Sequence, residues 1–266
     1  MLIIGEKINA SRKNIAEAIR RRDEVAISEL AKKQVEAGAD VIDVNAGSLK
    51  GQVETAMEDM RWLVTVAKAA VDKPLSVDSD NMDVLEAGLE TVAGPTPWIN
   101  SITAEPSKLE RVLPLANKYG GPVIALCMGE QGIPKDVKGR IAAAKTILEA
   151  AARIGIEPGR LYFDPLVMPV STDGKAGTII MDTIKEIKKN FPASKTVVGL
   201  SNVSFGLPLR EILNNNFLVL CMGVGLDAAI LDPTNNNTMF ALRAADALLG
   251  NDDYCGRYIK HFRSTK

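Results

Sequence analysis

Short, nearly continuous apolar runs alternate along the chain with longer amphipathic stretches. The runs are LIIGE (2–6), DVIDVN (40–45), PLSVD (74–78), PWINS (97–101), PVIALCM (122–128), LYFDP (161–165), TVVGLS (196–201) and DAAILD (227–232). Several lack polar–apolar alternation, which is the pattern of strands covered on both faces. Between them the period changes. Val53, Ala56, Met57, Met60, Leu63, Val64, Ala67 and Val71 recur at spacings of three and four, which predicts a helix over 53–71 with Glu58, Asp59, Arg61 and Lys68 on its wet face. Helices are expected over 83–90 with Asp80 as cap, 107–118 after Pro106, 137–153, 176–190, and 238–249 before Gly250.

That is about eight strand–helix units over residues 1–266, read as one domain. Strands joined through helices run parallel with right-handed crossovers, and eight of them close into a (β/α)8 barrel, the TIM-barrel fold. An open doubly wound sheet is the alternative, but no GxGxxG follows the first strand.

Composition narrows the chemistry. The chain carries 32 Lys+Arg against 33 Asp+Glu, a net charge of -1, so no basic field invites a nucleic acid. No apolar run is long enough for a membrane span or a signal peptide. Cys127, Cys221 and Cys255 are widely spaced and have neither disulfide-framework nor zinc-ligand spacing, so a reduced cytoplasmic protein without a bound metal is expected. His261 is the one histidine and lies near the C-terminal end, where solvated surface is the expectation. An enzyme here must work with carboxylates, amides, hydroxyls, thiols or Lys/Arg.

Barrel enzymes place their chemistry at the C-terminal ends of the strands. Here those ends carry Glu6 and Asn9, Asp43 and Asn45, Asp78, Asn100 and Ser101, Cys127 and Met128, Asp164, Ser201 and Asn202, and Asp232. Each also precedes a helix, where Asp, Asn and Ser serve as caps. Eight such ends converging on one mouth, with few cations among them, suit a neutral, donor-rich planar heterocycle better than a phosphate.

The segments IGEKIN (4–9), IDVNAG (42–47), LSVDS (75–79), INSITAE (99–105), LYFDPLVMP (161–169) and above all GLSNVSFGLPLR (199–210) are similar, in order along almost the whole chain, to the pterin-binding methyltransferase family. More closely they resemble methyltetrahydrofolate:corrinoid protein methyltransferases, related to the folate domain of cobalamin-dependent methionine synthase. The resemblance implies pterin contacts from Asp78, Asn100 and Asp164, a catalytic Asn202, and a following Arg210. Glu6, Asn9 and Ser201 complete the expected binding set, and Phe205, where some members carry Gln, offers an aromatic contact to the ring or its tail. Dihydropteroate synthase, the confusable relative, carries a basic SRK-type motif at the seventh strand where this chain has SNVS (201–204). A non-catalytic folate carrier is the other alternative.

The resemblance further implies a substrate, 5-methyltetrahydrofolate or tetrahydrofolate, and a corrinoid of the cobalamin type supplied by a partner. That partner is a corrinoid iron–sulfur protein or the corrinoid protein of an O-demethylase, and the chain is expected to be a homodimer. Asn202 would donate to N5 as the C–N bond breaks, and Asp78 would bind the ring or hold a proton-delivering water. Arg20-Arg21-Arg22 and Lys185, Lys188 and Lys189 read as solvated helix faces, with docking to an acidic partner as the alternative. Cys127 reads as pocket lining and Gly223-Val224-Gly225 as tight packing.

Overall fold

In a computed structural model, which describes residues 1–47, 52–92 and 96–264, the eight strands close into a parallel barrel in the order β1 to β8. The strands are β1 (Leu2–Asn9), β2 (Val41–Asn45), β3 (Leu75–Asp78), β4 (Trp98–Ile102), β5 (Val123–Leu126), β6 (Leu161–Asp164), β7 (Lys195–Gly199) and β8 (Ala228–Leu231). Helices α1 (Lys13–Arg21) and α2 (Glu24–Glu36) follow β1, and α3 (Val53–Ala70) follows β2. Then come α4 (Met82–Thr91), α5 (Pro106–Tyr119), α6 (Val137–Arg153), α7 (Ala176–Asn190), α8 (Arg210–Gly223), α9 (Asn236–Leu248) and α10 (Gly256–Ser264). The closed barrel is the expected fold, and the open sheet is excluded by the β1–β8 pairing, Leu2 against Ala228 through Gly5 against Leu231.

Two apolar layers hold it. Outward-facing strand residues such as Ile42, Val77, Ile99 and Phe163 pack against the helices, where Met60, Leu63, Val112 and Ile147 are buried. Inside, Ile4, Val41, Trp98, Ile124, Val197 and Ala228 fill the lower barrel, with the Trp98 and Tyr162 rings 4.5 Å apart between centroids. Side chains two apart on a strand share a face. Stepping up the inward rows therefore leads from Ile4 to Glu6, from Val41 to Asp43 and Asn45, from Trp98 to Asn100, from Tyr162 to Asp164 and from Ala228 and Ile230 to Asp232. The barrel has an apolar floor and a polar rim.

Two local expectations are corrected. The first strand does not end at residue 6: its pairing with β2 slips between Gly5 and Ile8, then resumes as Ile8 against Val44 and Asn9 against Asn45. The buried Gln34 of α2 makes the slip tolerable, because its Oε1 accepts the Lys7 backbone N–H at 3.0 Å in place of the ladder. Glu6 and Asn9 thus belong to the strand, and Gly5 must stay small, since a Cβ there would lie 2.5 Å from Gln34 Oε1. The cap of α4 is Asn81, not Asp80: Asn81 Oδ1 accepts from the N–H of Asp83 at 2.9 Å and of Val84 at 3.2 Å. The expected helices over 137–153 and 176–190 match α6 and α7, and Gly250, at φ +74, follows the last turn of α9 as expected.

Candidate active site

The rim divides into three groups of polar residues, each fixed by a different set of strands. On β2, β3 and β4, two amide–carboxylate pairs lie side by side. Asn45 Nδ2 donates to Asp78 Oδ2 at 2.7 Å, and its Oδ1 accepts from the Gly47 N–H at 2.7 Å, which fixes the amide's orientation. Asn100 Nδ2 donates to Asp43 Oδ1 at 3.2 Å, leaving its carbonyl oxygen and second N–H for a ligand. Burial, then the charge of Asp78, pushes the Asp43 carboxyl well above the usual range. Asp78 is pushed up to about 6 by burial, against the Asn45 hydrogen bond and with help from Asp80. The two carboxyls are close enough that the charge of one opposes ionisation of the other. Asp43 and Asn45 are part of the site although only their place at a strand end pointed to them. The usable signal was their shared inward row with Val41.

Across the barrel, Asp164 ends β6. Its carboxylate is buried and accepts the Leu166 N–H at 2.7 Å. Burial raises it to about 6, opposed by that hydrogen bond and by the charge of Arg140. Cys127, after β5, is not pocket lining as expected: it is fully buried in the apolar layer with Val123 and Ala125, in the lining of neither cavity described below, and burial with the neighbouring Asp164 holds its thiol far up.

The third group joins β7 to β1. Leu200–Ser204 forms a 3-10 helix directly after β7. Arg210 staples it, donating from Nε to Ser204 Oγ at 3.0 Å and from Nη2 to the Ser201 carbonyl at 2.6 Å. Ser201 Oγ donates to Glu6 at 3.3 Å, and Arg12 pairs with the same carboxylate at 3.2 Å. Burial raises Glu6, with Arg12 opposing. Asn202 is exposed, and among the described residues its side-chain amide has no hydrogen-bond partner. Gly199 beneath it leaves the room it needs, since a Cβ there would stand 3.2 Å from Asn202 Nδ2. Phe205 is 66% exposed, with the Arg210 guanidinium 6.0 Å from its ring centre. Lys7 pairs with Asp232 at 2.8 Å at the same edge.

The strand order thus brings Glu6 and Ser201 into contact and sets Asp78 beside Asn100 in register. Asp164 at the end of β6 and Asn202 in the turn after β7 lie across the barrel from the Asn45–Asp78 pair on β2 and β3. A cavity of about 1120 Å³ opens beside Asn9, Asn45, Asp78 and Ser79 and runs out between α1 and α3; Asp164 and Asn202 are not in its lining. A second, of about 410 Å³, lies over Glu6, Arg12, Ser201, Arg210 and Asp232. His261 is not solvated tail: it sits in α10 with its ring edge-on to Phe240 of α9, 4.5 Å between centroids, and burial lowers its pKa, with Arg243 adding to this. The basic runs are ion-paired faces. Arg20 and Arg21 pair with Glu17, Arg22 with Asp59 at 2.7 Å, and Lys188 with Asp227 at 2.9 Å.

Residues 5–232 match the family model described as pterin binding enzyme. The chain is 37% identical over 268 residues to a methylcorrinoid:tetrahydrofolate methyltransferase of Eubacterium limosum, covering 100% of this chain and 97% of that one. It is 31% identical over 244 residues to methionine synthase of Mycobacterium leprae, covering 87% of this chain but 20% of that protein. Among solved structures, dihydropteroate synthases of Yersinia pestis and Xanthomonas albilineans superpose with a TM-score of 0.68, at 19% and 20% identity, over 94% and 93% of this chain and the same shares of theirs; at that identity they share the fold alone. No helix among the described residues is long and apolar enough to cross a membrane. A barrel with a rim of amides and buried carboxylates, joined to these relationships, places the chain in the pterin-binding enzyme family, among the methyltransferases that work between folate and corrinoid.

Proposed function

We propose that this chain moves a methyl group between N5 of 5-methyltetrahydrofolate and the cobalt of a corrinoid held by a partner protein, in the reduced cytoplasm, with residues 1–266 acting as one pterin-binding barrel. The observation that carries it is a buried acceptor, Asp164, at the end of β6, with an unengaged donor, Asn202, in the turn that follows the adjacent β7. Reduced pterin shows neighbouring N–H donors on one edge, and an ionised carboxylate accepts from two at once, each bond about twice as strong as a neutral one. Asp164 takes that edge, while Asn100 and Asp78 take the other ring heteroatoms. Glu6, Asn9, Ser201, Phe205 and Arg210 frame the tail side, Arg210 through the turn it staples.

The reaction balances without a histidine. In one direction Co(I) attacks the methyl carbon, the Co–C bond forms, the C–N bond breaks, and its electron pair goes to N5, which takes a proton. In the other, N5 attacks the methyl of methylcobalt, loses its proton, and Co(I) departs. Asn202 Nδ2 stabilises the electron pair at N5 in both directions, and Asp78 holds the water that carries the proton. The relative of matching length is named for the direction from methylcorrinoid to tetrahydrofolate, which this chain is proposed to share. The partner is a corrinoid protein whose cofactor reaches N5 from the open mouth. A synthase reading wants a free cation at the β7 end, where, among the described residues, Arg210 is spent on Ser201 and Ser204.

Mixing the protein with methylcobalamin or a methylated corrinoid protein and tetrahydrofolate tests this directly. Loss of the methyl–cobalt absorbance with formation of 5-methyltetrahydrofolate is expected. Tight folate binding with no change at cobalt would instead make the chain a carrier.

Binding should depend on pH with a definite sign. Asp164 and Asp78 must be ionised to accept ring donors, and both sit at about 6. Tetrahydrofolate affinity is expected to be flat above about pH 7 and to fall as pH drops through 6, by about tenfold per pH unit for each carboxylate required. Titration from pH 8 to pH 5 reads this, and affinity that rises on acidification would remove both carboxylates from the acceptor role.

The homodimer is proposed through α8. Leu209 precedes the helix, and Ile212, Leu213, Val219 and Leu220 lie outside at helical spacing, with Ile212 57% and Leu220 55% exposed. A second copy covering this stripe would bury it. Light scattering should give a dimer for the wild type and a monomer for Ile212→Glu/Leu220→Glu; a monomeric wild type at micromolar concentration would contradict it.

A further inference from the structure

We propose that Arg140 is a positioning residue for the pterin carboxylate, holding Asp164 in its binding orientation through the backbone of Pro165 and Leu166. The proposal rests on the pterin-binding reading above.

Arg140 lies in the first turn of α6, which Asp136 caps by accepting the Gly139 N–H at 2.8 Å. Its guanidinium is not at the surface, since the residue is 3% exposed. Three backbone carbonyls take its donors: Pro134 from Nε at 3.2 Å, Leu166 from Nη1 at 2.9 Å, and Pro165 from Nη1. A buried guanidinium of this kind is costly unless its donors are met, and here carbonyls rather than a carboxylate meet them.

What the carbonyls gain is visible one bond away. Leu166 sits at φ +65, a left-handed conformation that a residue with a Cβ disfavours. The Pro165 carbonyl and the Leu166 N–H belong to one peptide plane and point opposite ways, so Arg140 holds one end of that plane while the other donates to Asp164 Oδ1 at 2.7 Å. With one lone pair of Oδ1 taken by Leu166, the carboxylate plane is set, and Oδ2 and the second lone pair of Oδ1 are left for the ligand. Arg140 clamps the carbonyls on both sides of Leu166, so it fixes the plane that orients Asp164 and offsets the strain of the turn that follows.

The same arrangement acts on charge. The groups facing Asp164 are Arg140 from α6 and the neutral Cys127 thiol after β5, while Asp136 faces Arg140 from the helix start. Arg140 is the one cation among them, and it opposes the rise that burial imposes on Asp164.

The test is tetrahydrofolate affinity and steady-state kinetics across pH 5–8 for wild type, Arg140→Gln, Leu166→Gly and Arg140→Gln/Leu166→Gly, with Asp164→Asn as control. Arg140→Gln is expected to raise KM for the folate about tenfold with kcat within about twofold, and to move the acid limb of binding upward by about 1 in pH. Glycine adopts φ +65 freely, so the double variant should regain a large part of the affinity that Arg140→Gln loses. Where Arg140→Gln does not fold, Arg140→Lys keeps the charge but meets fewer carbonyls, and about a threefold loss with no shift of the acid limb is expected. A folded Arg140→Gln with unchanged KM and acid limb, an Arg140→Lys of wild-type affinity, or a double variant no better than Arg140→Gln overturns the proposal while wild type binds and Asp164→Asn does not. If wild type fails to bind, or Asp164→Asn binds equally well, the pterin reading itself fails and this inference with it.

Discussion

Asn202→Ala is expected to lower kcat by about 10²–10³ while leaving the folate Kd within a few-fold of wild type. The asymmetry follows from where the amide acts. N5 of the bound methylated folate carries no developing negative charge, so one neutral N–H adds little to binding. As the C–N bond breaks, N5 gains an electron pair, and a donor already in place stabilises it without reorganising. Asn202 is suited to this because its amide has no protein partner among the described residues, and because the Arg210 staple and the bare Gly199 fix the turn that carries it. Single-turnover rates and equilibrium binding on the same preparation separate the two effects. Equal losses in both would make Asn202 a binding residue only.

Asp164→Asn has the opposite signature. Replacing the carboxylate by an amide loses the charge and sets an N–H where an acceptor is needed. Folate binding should weaken by about 100-fold or more, the cost of two charge-assisted bonds and a mismatched donor. The ligand-free variant should nevertheless be more heat-stable at pH 7. A carboxyl raised from 3.8 to about 6 in the fold is a charge the folded state holds at a cost. That cost is as much as about 3 kcal/mol at neutral pH; it begins to shrink as pH falls through 6, where the folded state takes up its proton, and is gone below the ordinary value of 3.8. Removing the charge removes the cost, while Asn Oδ1 still accepts the Leu166 N–H. Isothermal titration and a thermal melt read the two halves. A variant that loses binding and stability together would mean that Asp164 serves the fold more than the ligand.

The barrel was legible because β-α alternation and strand count are properties of hydrophobic pattern alone. The polar rim was legible for a related reason: Glu6, Asp78, Asn100, Asp164 and Asn202 all fall where an apolar run stops, and strand ends in a parallel barrel share one mouth. What could not be read was which neighbours hold those groups. Gln34 replacing a ladder bond at Lys7 depends on a contact between α2 and β1. Arg140 reaching Pro165 and Leu166 crosses from one β-α unit to the next, and nothing in GRIAAAK marks that arginine as buried. His261 was misplaced because its packing on Phe240 depends on α10 folding back on α9. The Asp43–Asn100 and Asn45–Asp78 pairs were half legible. The alternation in VIDVN puts Asp43 and Asn45 on one face, but their partners come from the register of β3 and β4.

We propose that the pterin is gripped between the buried carboxylate that ends β6 and the unengaged amide in the turn after β7. A crystal structure of the protein with 5-methyltetrahydrofolate tests it most directly. The account predicts the donor edge of the ring on Asp164 and N5 within hydrogen-bond reach of Asn202 Nδ2. A ring lying instead in the cavity between α1 and α3, with Asp164 and Asn202 facing water, would contradict it.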